Sequence, residues 1–391
     1  PTTIVFDYTF DKCGSDGLDL PDNTATAVWT GSELILDAAN APTVYLRRST
    51  VGPNYFDTLK SDCALSNQFS STKDTQPQNS DNYEWINAIY KKGDTLYGLI
   101  HQEFHDTVSQ AICGPNWQSQ APDNPCWYNT ITMVTSNDDG KTFTQLSSPD
   151  HIVADPPLAW DAAAMKQKPY GYMNPTNIIS RVEGGTIVYY YSFFTAQIGV
   201  GTQDPTSSGI CLMRTDNLDI PSSWRAWDGD GFDIPMIHPY NGANPIITNE
   251  PNCAYIHNTS LANITGHVTF NTFLQEYIMV GIGAKNDTYS PILPKPVKCG
   301  MWYARSKDLI TWTPHKLVFE SQFPNNQAQC TANSLITSYG SMIDQDQIND
   351  PTDPNFEKSD DTFHLYYTVF NNPPTYSDRD LVRRPVTLTK T

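Results

Sequence analysis

The sequence predicts an all-β chain folded as a single β-propeller, and three observations carry that prediction. Helical periodicity is nearly absent. Short runs rich in aromatic and β-branched residues alternate with Gly, Pro, Asn and Asp, the pattern of strands and tight turns. The runs also repeat along the chain, as the strand units of a propeller do.

The strands follow in order. Leu96-Tyr97-Gly98-Leu99-Ile100 returns as Ile187-Val188-Tyr189-Tyr190-Tyr191, as Ile278-Met279-Val280-Gly281-Ile282 and as Phe363-His364-Leu365-Tyr366-Tyr367, with starting points 91, 91 and 85 residues apart. Each of the first three is followed by a second motif. The first is Ser136-Asn137-Asp138-Asp139-Gly140-Lys141-Thr142-Phe143, which fits the Asp-box turn Ser-x-Asp-x-Gly-x-Thr-aromatic found in many propellers. The others are Arg214-Thr215-Asp216-Asn217-Leu218 ahead of Trp224, and Arg305-Ser306-Lys307-Asp308-Leu309 ahead of Trp312. Tyr45-Leu46-Arg47-Arg48-Ser49 is a further copy near the N-terminus.

Counting gives five units, over residues 20–60, 84–146, 172–232, 252–319 and 333–391. Thr3-Ile4-Val5-Phe6 is then free to complete the last unit and close the ring, which removes exposed sheet edges. Units near 90 residues are long for one four-stranded blade, so a total of seven blades also fits. No linker divides the chain, and residues 1–391 read as one domain. A β-sandwich of unrelated hairpins is the competing architecture.

Composition narrows the function. With 42 acidic against 24 basic residues, a net charge of −18 disfavours nucleic acid, anionic membranes and long polyanions as partners. Eight cysteines suit four disulfides in an oxidising compartment, with Cys113 and Cys126, which bracket a Pro/Asn/Gln-rich loop, the expected pair. Sequons at Asn258, Asn263 and Asn286 agree with secretion. No leader or transmembrane run is evident, as expected of a mature secreted monomer.

The chemistry concentrates in Thr95-Leu96-Tyr97-Gly98-Leu99-Ile100-His101-Gln102-Glu103-Phe104-His105. Side chains alternate along a strand, so His101, Glu103 and His105 share one face. Three ionisable groups on one face are costly to bury, which places that face on a cavity. The equivalent residues of the second copy are Ser192, Phe194 and Ala196, and of the third Gly283, Lys285 and Asp287. The His-x-Glu-x-His pattern is therefore not a requirement of the repeat, although a pair of satisfied histidines on a polar face is the plainer alternative.

A catalytic metal is not expected. His101 and His105 are about 13 Å apart along a regular strand and cannot share an ion directly. Carbonyl and carboxylate ligands leave no tight pattern, so a structural calcium stays open, and no cofactor is required. Trp85, Asn87, Tyr170, Tyr172, Asn174, Asn177 and Asn333 lie where inner strands should begin, and aromatic faces with amide groups suit sugars. Arg48, Arg214 and Arg305 recur at one repeat position, which suggests a structural role; Arg214 is the choice among them for an anion.

The Leu-Tyr-Gly-Leu-Ile-His-Gln-Glu-Phe-His strand, the Tyr-Gly-Tyr-Met-Asn-Pro-Thr-Asn run from Tyr170 and the Arg-Ser-Lys-Asp-Leu-Ile-Thr-Trp hairpin from Arg305 resemble secreted fungal β-propeller polysaccharide lyases, of the L-rhamnose-α-1,4-D-glucuronate lyase kind. The resemblance implies seven blades, a sugar bound in the central cavity and His105 as the catalytic residue. It implies syn elimination, with one imidazole taking the C5 proton of glucuronate and returning it to the departing C4 oxygen of rhamnose, as on gum arabic. His101 and Glu103 would then fix the ring or bind substrate. The alternative is a five-bladed glycoside hydrolase with paired carboxylates, drawn from Asp81, Asp161 and Glu250. A non-catalytic sugar-binding propeller is the third reading.

Overall fold

The computed structural model describes residues 2–13, 20–38, 46–52, 54–63, 74–104, 128–160, 170–198, 208–236, 239–240, 253–256, 266–284, 297–324, 330, 335–373 and 375–389. Within these residues the chain is nearly all strand, with one four-residue helix at Tyr8–Asp11.

The strands form five antiparallel up-and-down ladders, one in each of the five expected units. The first runs Thr26–Trp29, Leu34–Asp37, Leu46–Ser49 and Lys60–Ser61. The second runs Tyr83–Lys92, Thr95–Phe104, Tyr128–Ser136 and Thr144–Gln145. Ile179–Glu183, Ile187–Gln197, Ser208–Thr215 and Arg225–Ala226 make the third. His267–Asn271, Glu276–Ala284, Cys299–Ser306 and Lys316–Glu320 make the fourth. The fifth has Thr337–Ile343, Thr362–Phe370 and Arg379–Thr387, and its outer strand is Thr3–Phe6 from the other end of the chain.

The four repeated runs begin within two residues of the start of the second strand of their ladders, and the Arg-containing copies end the third. Sequence periodicity and strand position therefore agree. The turns behave alike too. Asp138 accepts bonds from the Lys141 and Thr142 amides at 3.0 and 2.9 Å and from the Thr142 hydroxyl at 2.6 Å. Asp308 receives the Ile310 and Thr311 amides at 2.9 and 2.7 Å, although its sequence lacks the Gly of the full motif. Phe143, Trp224 and Trp312 then drop into the core as anchors.

Neighbouring ladders pack face to face, and the last meets the first. Val28 and Ile35 of the first pack on Ile86, Ile100 and Val134 of the second. The strand Tyr170–Met173 bridges the second and third, pairing with both Tyr128–Ser136 and Ile187–Gln197. Between third and fourth, Asn177 makes a reciprocal pair with the Val268 backbone, both bonds 2.8 Å. Ile278 and Val280 of the fourth meet Phe363 and Leu365 of the fifth. Leu34 and Phe56 of the first share a core with Ile343 and Tyr366 of the fifth, closing the circuit.

Three disulfides lie among the described residues, Cys13–Cys63, Cys211–Cys253 and Cys299–Cys330, and they mark an oxidising environment. The expected Cys113–Cys126 pair and all three sequons lie outside the described residues.

The Asn177 amide satisfies a buried backbone donor and acceptor on the neighbouring ladder. Asn177→Ala is therefore expected to cost about 1–3 kcal/mol in urea unfolding, because it leaves both groups unpaired. Asn371→Ala, which removes exposed bonds, should stay within about 0.5 kcal/mol.

Candidate functional site

Strand register builds the first part of the site. Thr95–Phe104 pairs with Tyr83–Lys92 so that Trp85 stands opposite His101 and Tyr83 opposite Glu103. On its other side Asn129 stands opposite Glu103, and Gly171 pairs with Asn129. The register slips between Ile86 and Ala88, which makes Asn87 the extra residue of a bulge. His101 and Glu103 do share a face: Nε2 of His101 is 3.7 Å from Oε1 of Glu103, and each residue is 8% exposed. The Trp85 and His101 rings lie 5.8 Å apart, tilted by 33°.

Asn129 sets the imidazole. Its Nδ2 donates to the Tyr170 carbonyl at 2.9 Å, so its Oδ1 is the acceptor turned to His101 Nε2 at 3.0 Å. The hydrogen bond therefore requires a proton on Nε2. Gly171 makes this approach feasible. Its φ is +116°, and a Cβ there would fall 2.1 Å from the Asn129 carbonyl oxygen.

Ring closure supplies the second part. Asp22 precedes the inner strand of the first ladder and accepts the Tyr339 hydroxyl at 3.0 Å from the fifth. Arg379, also of the fifth, forms an ion pair with Asp22 through Nη1. Its Nε donates to the Tyr376 carbonyl at 2.8 Å, and its guanidinium lies 4.8 Å from the Phe370 ring centroid. Burial pushes the Asp22 carboxyl up; Arg379 and Tyr339 pull it back, and the charge of Glu103 pushes it up again. Glu103 thus acts on Asp22 across two ladders. The Asp22 side chain nonetheless keeps 28% of its surface exposed.

Tyr339 is held for this contact by an uncommon backbone. Its φ is +56°, within a register break between Ser338 and Ser341. A left-handed tyrosine costs about 1–3 kcal/mol, which surrounding packing must offset. Burial and the Asp22 charge push its hydroxyl well above the usual phenol range.

Other expected residues lie elsewhere. Tyr172 is fully buried with its ring against Phe194, so it belongs to the core and not to a sugar platform. Tyr170 is buried too and serves the site through its carbonyl. Asn174 is exposed, with φ at +52°. Arg214 is committed at the opposite end of its ladder: Nη1 bonds Glu183 at 2.7 Å and Tyr191 at 3.2 Å, and the guanidinium lies over Tyr189 and Phe232. Arg48 bonds Glu33 at 2.7 Å, and Arg305 forms an ion pair with Glu276 at 3.1 Å. Asp81 couples to Glu84, whose carboxyl burial pushes well up. His105, Asn333, Asp161 and Glu250 lie outside the described residues.

Asp22, Tyr339 and Arg379 escaped the sequence reading. The available signal was position: Asp22 precedes its inner strand much as Asp81 precedes the next. Among the described residues no three His, Cys, Asp or Glu side chains are gathered as a metal ion needs.

No family model matches the chain, and no curated protein matches it. Among solved structures it is similar to an α-L-arabinofuranosidase from Fusarium graminearum, with 14% identity over 99% of this chain and 97% of that one, at a TM-score of 0.44. A family 117 glycoside hydrolase from Zobellia galactanivorans shares 10% identity over 99% and 89%, at 0.48. An α-L-arabinanase from Cellvibrio cellulosa shares 10% over 91% and 89%, at 0.40. At such scores nothing about residues or substrate passes from these enzymes to this chain.

Gly171→Ala should disturb the site before anything else, because the new methyl meets backbone and not a movable side chain. The expected outcome is a loss of more than about 2 kcal/mol in thermal unfolding. A surviving fold should show a displaced His101 resonance in NMR spectra.

Proposed function

We propose that this chain is a secreted, five-bladed propeller enzyme that hydrolyses a glycosidic bond at the end of the ring where Asp22 and Glu103 meet. One observation carries the reading. Two carboxyl groups from adjacent ladders interact, and burial together with the second charge holds one of them above the usual carboxylate range. Such unequal pairs divide acid and base roles. Asp22 is the proton donor to the leaving oxygen, and Glu103 works as base or nucleophile. Arg379 and Tyr339 limit how far Asp22 rises. Trp85 offers an aromatic face for a sugar, and His101, fixed by Asn129, offers a hydrogen-bonding group beside it.

A second reading keeps the elimination chemistry. The observation that favours it is Arg379, whose Nη2 bonds to no described residue while Nε and Nη1 are anchored. An anchored guanidinium with an open arm suits a uronate carboxylate. His105 would then transfer the proton from C5 to the C4 oxygen, releasing rhamnose from gum arabic.

Product analysis with arabinan, levan and gum arabic separates the readings. Hydrolysis gives saturated sugars, elimination gives an unsaturated uronate absorbing in the ultraviolet, and a sugar-binding propeller leaves the polymer uncut. For hydrolysis, Asp22→Asn and Glu103→Gln should each lower kcat/KM by about 10²–10⁴-fold with the fold intact. His105→Ala should then have a small effect. Loss of activity in His105→Ala alone, with an absorbing product, would transfer the assignment to the lyase.

A further inference from the structure

In folds built from repeats, each unit touches its neighbours, and stability is close to a sum of nearest-neighbour contacts. One segment of the fifth ladder departs from that rule. It lies between Thr337–Ile343 and Thr362–Phe370, and within residues 354–359 it reaches each of the other four ladders. The adjoining ladders are the first and the fourth. The Pro354 carbonyl accepts the Trp29 amide of the first at 2.7 Å, and Phe356, 1% exposed, packs edge-on against Phe56 at 5.5 Å. The Glu357 carbonyl accepts the Phe270 amide and the Thr269 hydroxyl of the fourth, both at 2.8 Å. Lys358–Ser359 then runs as a strand parallel to His267–Asn271, and Asn271 donates to the Ser359 hydroxyl at 3.0 Å.

The second and third ladders do not adjoin the fifth, yet the same segment bonds both. Asn355 makes a reciprocal pair with the Lys91 backbone of the second, accepting its amide at 2.6 Å and donating to its carbonyl at 3.0 Å. The Glu357 carboxyl receives the Tyr90 hydroxyl of the second at 2.9 Å. It also receives Ser180 of the third, through the hydroxyl at 3.1 Å and through the amide. Glu357 thus joins three ladders, the second and third by its side chain and the fourth by its carbonyl. Buried Asp353 holds it in place by accepting the Glu357 and Lys358 amides, both at 2.9 Å.

Trp29, Lys91 and Phe270 stand at or next to the last residue of their inner strands, whereas the candidate site lies where those strands begin. Tyr83, opposite Glu103, and Lys91, bonded to Asn355, are eight residues apart on one strand, roughly 25 Å. We propose that residues 353–359 form a clasp that ties the second and third ladders to the other three across the ring, so that the ladders open as one unit. A second or third ladder that opened singly would give up its bonds to the clasp as well as those to its neighbours. Bonds to a carboxyl group are the stronger kind, and three of them converge on Glu357. Releasing one ladder therefore leaves Glu357 short of partners inside a structure that is otherwise intact.

Native-state hydrogen exchange of the intact chain, at one pH and over a series of subdenaturing urea concentrations, tests this. In the wild type the slowest strand amides of all five ladders should merge on one urea dependence. Glu357→Ala should split them, with the slowest amides of the second and third ladders exchanging at least tenfold faster than those of the fourth and fifth. Asn177→Ala is the control. It breaks a reciprocal pair between adjacent ladders and leaves the clasp whole, so its five ladders should shift together. If Glu357→Ala does not fold, Asn355→Ala takes its place, and its second ladder should exchange at least threefold faster than its fourth. Three results would overturn the proposal: separate urea dependences in the wild type, a common shift of all ladders in the clasp variant, or an equal split in Asn177→Ala. The readout is exchange and needs no substrate.

Discussion

The seam between the first and fifth ladders is the contact on which the rest depends. A ring of ladders closes only if its two ends meet, and here the chain joins them in several ways at once. Thr3–Phe6 completes the fifth ladder. Arg383 reaches across to Asp57 and the Phe56 carbonyl, and Arg379 pairs with Asp22. The Asp22–Arg379 contact spans 357 residues of sequence. The contacts of Asp22 with Arg379 and Tyr339 lie on this seam, whereas Asp22 and Glu103 come from the neighbouring first and second ladders.

This explains what could and could not be read from the sequence. Local features were legible: the strand starts at Leu96, Ile187, Ile278 and Phe363, the Asp-box turn at Ser136–Phe143 and its degenerate copy at Ser306–Trp312 all follow from short-range pattern. The common face of His101 and Glu103 needed only strand alternation. Asp22, Tyr339 and Arg379 gave no comparable sign, because each acquires its role from a ladder far away in the chain. Tyr172 misled for a different reason. Aromatic residues near an inner strand suit both a sugar platform and a packed core, and only the register, which turns Tyr172 toward Phe194, decides between them. Arg214 belongs with Arg48 and Arg305, each holding a carboxylate from its own ladder, as their repetition indicated.

Within the site, one amide does more organising than either ionisable group. Asn129 bonds both the Tyr170 carbonyl and His101, so the strand that joins second and third ladders also orients the imidazole. The close backbone approach that Gly171 permits is what brings that strand near enough. The net charge of −18 makes Arg379 conspicuous in this setting. Its field acts on Asp22, and it is anchored by Tyr376 and Phe370 and not by flexible surface contacts.

The carboxyl groups at the two ends of the ring titrate in the same sense. Burial raises Asp22 at the site and Asp344, Asp353 and Glu357 between the strands Thr337–Ile343 and Thr362–Phe370. The turns impose the opposite limit. Burial works against the charge of Asp138, but bonds from Thr142, Ser136 and Lys141 hold it down to about 2, and Asp308 is lowered by its own amide partners. The stability those turns supply is complete above the ordinary aspartate range near 4 and is lost as pH falls through about 2.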